Sequence, residues 1–111
     1  MATFGEFIRG QREDKGLNQS DFGQQLGIIM TDVSKIENGK KGFPFDKLER
    51  LAKYLNMDYS ELKTQYVAER LVNEAHKYKC PDKVFSVAES QSKYVKSKEL
   101  KGKKRNSNGL Q

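Results

Sequence analysis

Between Met30 and Lys41 the chain gathers side chains suited to reading another molecule's hydrogen-bonding edges. Lys35 can donate to guanine O6 and N7, Thr31 can donate or accept, and Met30 offers apolar contact to a thymine methyl. Asp32 can accept from a cytosine amino group, or its negative charge can tune affinity for a phosphate backbone downward. Ser34 shares their outward side. Gln19, Asn38, Lys40 and Lys41 flank this row and suit phosphate contacts, although the two lysines would equally serve as soluble loop residues. Covalent chemistry finds no footing. There is no nucleophile with a base and an orienting group, no phosphate-cradling glycine loop and no metal-ligand set, so neither an enzyme nor a cofactor or metal site is expected. The single Cys80 rules out an internal disulfide, and one cysteine with one histidine, His76, is too little for a metal. Cys80 is expected as a buried or half-buried thiol and His76 as a solvated imidazole.

The elements that must hold this row are short. Leu17–Lys40 reads LNQSDFGQQLGIIMTDVSKIENGK. Phe22, Leu26, Ile28, Val33 and Ile36 are spaced for two helices crossing steeply over one shared contact. Gly27 falls at the turn, and Gly23 on the inner side of the first helix allows close approach. Asn18 is placed to cap the first helix, and Gly39 to end the second in a left-handed conformation. This is a helix-turn-helix, whose usual task is to lay its second helix in the major groove of DNA. Around it, Thr3-Phe4-Gly5-Glu6 fits a capping box opening a helix through about Lys15, with Phe4, Phe7 and Ile8 inward. Gln19–Gln25 and Met30–Asn38 follow as helices. Pro44 is expected to start a fourth that buries Leu48, Leu51, Ala52 and Leu55. Met57 tucks in, Asp58 or Ser60 caps the next helix, and Leu62 closes the core.

Leu17-Asn18-Gln19, Gly27 and Ile36-Glu37-Asn38-Gly39-Lys40, at this spacing, resemble the Cro and phage-repressor (Xre-type) DNA-binding domain. The resemblance runs from about Phe4 to about Leu62. It implies an all-α, lambda-repressor-like fold with double-stranded DNA as partner. It also implies base-edge positions for Met30, Thr31 and Lys35, with Asp32 and Ser34 beside them. Arg12 and Glu37 are implied as a structural ion pair linking the first and third helices, outside base readout. Two positions depart from the family pattern. Gln11 stands where an apolar residue is more common. Ile29 stands where a capping Ser or Thr is usual, so Thr31 becomes an alternative cap that would shift the helix start and withdraw its hydroxyl.

The 111 residues suit one small domain plus an extension, and 32% charged against 35% apolar content suits a surface-rich helical protein. No stretch is apolar enough to span a membrane and no signal-peptide pattern opens the chain, so a cytoplasmic location is expected. Of the net charge of +6, the segment Lys96–Gln111 supplies six basic residues against Glu99 alone, leaving the rest nearly neutral. The organisation expected is a DNA-binding domain over 1–64, a two-helix extension over 65–97 and a basic disordered tail over 98–111. Leu62 and Tyr66 share one helix side, whereas Leu71, Val72 and Ala75 gather on the other; Val84, Ala88 and Val95 align on a last helix. These apolar sides are expected to dimerise or bind a partner, the alternative being that they fold back. A homodimeric regulator on a palindromic operator, most simply a repressor, is the function these features imply. The extension loosely resembles small regulators of restriction–modification systems. The alternatives are an autorepressing antitoxin whose extension masks a toxin, and an adaptor or RNA binder that does not read DNA.

Overall fold

The fold described here is that of a computed structural model, covering residues 2–107, with side chains described through Leu100. Among the described residues it consists of six α-helices and one 3-10 turn: α1 Phe4–Asp14, α2 Gln19–Leu26, α3 Met30–Glu37, the 3-10 turn Phe45–Lys47, α4 Leu48–Leu55, α5 Tyr59–Lys77 and α6 Lys83–Ser107. The described residues divide into two compact units that part after Val72.

Local chemistry sets most helix ends in the first unit. Thr3 accepts from the Glu6 N–H while Glu6 accepts from the Thr3 N–H, closing a reciprocal capping box. Asn18 Oδ1 accepts from the Asp21 N–H at 2.8 Å and so caps α2. Of the two candidates for α5, Asp58 is the cap, accepting from the Glu61 N–H. Gly27 carries the α2–α3 turn at φ 71°. Helix α3 begins at Met30 without a side-chain cap. The Ile29 carbonyl instead accepts from both the Asp32 and Val33 N–H groups, which removes Thr31 from the capping role.

The core of this unit is apolar and closely packed. Ile8, Phe22, Leu26, Leu48, Leu51 and Leu62 are fully buried, with Val33 and Ile36 from α3 beside them. Two glycines permit the helices to approach: a Cβ on Gly23 would overlap the Ile28 carbonyl, and one on Gly5 would overlap the Ile36 carbonyl. Gly5 thereby brings α1 against α3. Phe43, which no helical pattern marks, is buried in the loop after α3, edge-on to Phe4. The Tyr66 hydroxyl donates to the Phe43 carbonyl and anchors that loop to α5. Pro44 precedes the 3-10 turn rather than opening an α-helix; the α-helical pattern starts at Leu48.

In the second unit, α6 continues through Ser107, so the basic segment from Lys98 expected as a disordered tail is helical to that point; 108–111 lie outside the described residues. Lys, Glu, Leu and Arg are strong helix formers, and one Gly102 costs only about 1 kcal/mol relative to Ala. The thiol of Cys80 is exposed, not buried, because it lies in the connection after α5. No described helix is long and apolar enough to cross a membrane.

Candidate nucleic-acid interface

Helix α3 has two chemically opposite sides. Inward, Val33 and Ile36 enter the core and Glu37 is buried. Outward, Met30 is 52% exposed, Thr31 and Lys35 are exposed, and Ser34 and Asp32 are half-buried. Thr31 and Lys35 lie one turn apart, as do Met30 and Ser34, so the row predicted to read bases forms one continuous stripe. Ile29, 67% exposed at the N-terminal end of α3, extends this stripe with an apolar branched side chain. Ile29 cannot cap because its side chain carries no acceptor, and that side chain lies in the open. Asn38, Lys40 and Lys41 are all exposed beyond the C-terminal end of α3. The Lys40 N–H donates to the Lys35 carbonyl at 2.8 Å, which holds the chain reversal in place.

The orientation of this stripe depends on a buried carboxylate. Glu37 has no exposed side-chain surface. Arg12 of α1 donates from Nε to Glu37 Oε2 at 2.7 Å and from Nη2 to Oε1 at 3.0 Å, a two-bond fork, and from Nη1 to the Leu17 carbonyl at 2.9 Å. Gln19 Nε2 adds a third bond to Oε1 at 3.1 Å, and Arg9 Nε lies 3.6 Å from that oxygen. The Arg12–Glu37 pair implied by the resemblance is therefore present and fully hydrogen-bonded. Gln19, expected at phosphate, has its side chain committed to this cluster; its backbone N–H remains in the first turn of α2. Burial alone would raise the Glu37 carboxyl, but the bonds from Arg12 and Gln19 and the charges of Arg12 and Arg9 outweigh it and hold it below the ordinary carboxylate range. The same hydrogen bond pushes the Arg12 guanidinium above its ordinary value.

A second ion pair had no local signal. Lys41 Nζ lies 3.0 Å from Asp32 Oδ2, joining one residue predicted to touch bases to one predicted to touch phosphate. Glu69, also missed, accepts from the Phe4 N–H at 2.9 Å and ties α5 to the start of α1. Arg50 donates to the Gln25 carbonyl at 2.9 Å near the C-terminal end of α2. These contacts join residues far apart in sequence, which neither spacing nor periodicity reveals. Of the expected partner face, Leu71, Val72 and Val95 are exposed, as is Ala88; Val84 is half-buried and Ala75 is buried.

A buried apolar side, a charged rivet and an outward stripe of polar and apolar side chains on the second of two crossed helices define a helix-turn-helix module. Residues 5–67 match the family described as "Helix-turn-helix domain", and the chain belongs to that family. It is similar to the HTH-type transcriptional repressor RghR of Bacillus subtilis (strain 168), 34% identical over 94 residues, covering 81% of this chain and 68% of that protein. It is also similar to the ImmF control region 10 kDa protein of Bacillus phage phi105, 36% identical over 59 residues, covering 53% of this chain and 66% of that one. The chain thus spans about two thirds of the length of these relatives. In fold it matches the P22 c2 repressor, solved in complex with a synthetic operator, at TM-score 0.50 and 24% identity, over 56% of this chain and 94% of that one.

Replacing Arg12 by Ala leaves Glu37 buried without its main partner and is expected to cost about 3 kcal/mol in urea unfolding, with Glu37→Gln less severe because it removes the buried charge itself. The depressed Glu37 carboxyl adds stability that is complete above its unfolded value, near ~4.3, and is lost as pH falls through the lower native value. Unfolding midpoints measured between neutral and acid pH should therefore fall less in Glu37→Gln than in the wild type; parallel curves would contradict the assignment.

Proposed function

We propose that the chain is a sequence-specific DNA-binding transcriptional repressor that acts as a homodimer on a palindromic operator. The observation that carries this reading is the outward stripe Met30–Thr31–Ser34–Lys35 on a helix whose opposite side is fixed in the core. Laid in a major groove, Lys35 donates to guanine O6 and N7, Thr31 bonds a neighbouring base edge, and Met30 packs on a thymine methyl. Asn38, Lys40 and the first-turn N–H of Gln19 then meet phosphates and set the register. Similarity to a protein named as a transcriptional repressor, across most of this chain, supports repression as the outcome.

Pairing of subunits is supported by helix α6. Val87, Tyr94 and Val95 are exposed there, and with Val84 and Ala88 they fall on one side of the helix, Val87 and Ala88 three and four residues after Val84 and Tyr94 and Val95 seven residues further on. A second copy covering this side would make a two-fold dimer. Two-fold symmetry places a pair of recognition helices about 34 Å apart, one turn of duplex.

Selection from a random duplex pool followed by competition tests the reading. The selected duplex should bind at least about a thousandfold more tightly than a scrambled one at moderate salt; equal binding would overturn sequence-specific function. Lys35→Ala should cost about 1–3 kcal/mol on the selected duplex and relax preference at one guanine, whereas Lys40→Ala should weaken every duplex alike. In sedimentation equilibrium the wild type should be dimeric and Val87→Asp/Val95→Asp monomeric; a monomeric wild type would remove the homodimer.

A further inference from the structure

We infer that Asp32 and Lys41 form a charge-neutral latch that keeps Lys41 off the phosphate backbone and thereby limits binding to non-cognate DNA. The inference rests on the DNA-reading role proposed for α3. Lys41 follows the reversal at Gly39, and its side chain reaches back to the first turn of α3, where Nζ meets Asp32 Oδ2 at 3.0 Å. Among the described residues, neither Lys35 nor Lys40 takes part in an ion pair, so of these three exposed lysines Lys41 is the one that carries an internal counter-charge. Glu37 being buried, Asp32 is also the one carboxylate that α3 turns toward solvent.

Stability does not account for this arrangement. Lys41 is 50% and Asp32 28% exposed, and exposed pairs of this kind contribute little to folding. The consequence falls on binding. A phosphate approaching the pair meets no net charge, so docking releases no counterion on account of Lys41. Affinity must then come from base contacts by the α3 stripe together with the remaining cations. Non-specific affinity is almost wholly electrostatic, so withholding one cation lowers it directly. A carboxylate has several acceptor sites, so Asp32 can accept from a cytosine amino group while paired with Lys41, which would reward a cognate site where a random one repels.

Salt dependence reads the latch directly, since each additional phosphate neutralised by a cation steepens the slope of log affinity against log salt by about 0.9. Binding of the full chain to the selected duplex and to a random-sequence duplex is measured across a salt series for wild type, Asp32→Asn, Lys41→Gln and the double variant. Asp32→Ser serves as a second release variant, and circular dichroism checks folding. Asp32→Asn should steepen the slope by about 0.9 and tighten random-duplex binding several-fold. The double variant should return to the wild-type slope, and Lys41→Gln alone should leave it unchanged. An unchanged slope in both Asp32 variants overturns the latch, as does a slope made shallower by Lys41→Gln alone, which would place Lys41 on phosphate already. Absence of any duplex binding by the wild type overturns the DNA-reading role itself, and the latch with it.

Discussion

Glu37 is a carboxylate without exposed side-chain surface at the inner end of the helix that carries Thr31 and Lys35, and the surrounding structure keeps it ionised. An isolated buried charge would cost several kcal/mol, so its position is tenable only where its oxygens are matched by donors. Arg12 supplies the matching fork from α1, and Gln19 adds a bond from the first turn of α2. One side chain is thus held by two other helices at once. Rotation of α3 about its axis would break all three bonds, and for that reason the opposite side of the helix presents a defined stripe. The cluster supplies orientation in the first place and stability in the second.

Packing works in the same direction. The carbonyls of Ile28 and Ile36 occupy the space that side chains on Gly23 and Gly5 would fill, so α3 and the turn before it are seated against backbone at both ends. Such contacts tolerate no intervening methyl group, and interiors packed to this density resist small displacements. The loop leaving α3 is held too, by buried Phe43 and the Tyr66 hydroxyl on its carbonyl. Lys40 and Lys41 precede that anchor, which sets where their backbone leaves the end of the α3 stripe.

What could be read from the chain was what depends on neighbours in sequence. Thr3 with Glu6, Asn18 with Asp21 and Asp58 with Glu61 are bonds across three residues; residue types at that spacing mark the first two, and narrow the third to Asp58 or Ser60. The core positions of α2, α3 and α4 followed from helical period, and the Arg12–Glu37 pair from family resemblance alone. The start of α3 stayed open between two placements, since Ile29 offers no cap and Thr31 does; tertiary seating of Val33 and Ile36 decides for Met30. Phe43 carries no signal in the sequence, because a lone aromatic between Gly42 and Pro44 has no periodicity. The pairing of Asp32 with Lys41 and the bond from Phe4 to Glu69 depend on loop path and on helices meeting across the core, which local pattern does not encode. From Lys98 onward, a Lys-rich composition is compatible with helix and with disorder alike, and α6 takes the helical course to Ser107.

If the outward stripe of α3 enters the major groove, methylation interference registers it base by base. Guanine N7 lies in the major groove and adenine N3 in the minor groove. On the selected duplex, N7 methylation within each half-site should block binding, and Lys35→Ala should abolish the block at one guanine per half-site while leaving the others. Interference confined to adenine N3, or an N7 pattern indifferent to Lys35, would show that the helix does not read DNA in the way its geometry implies.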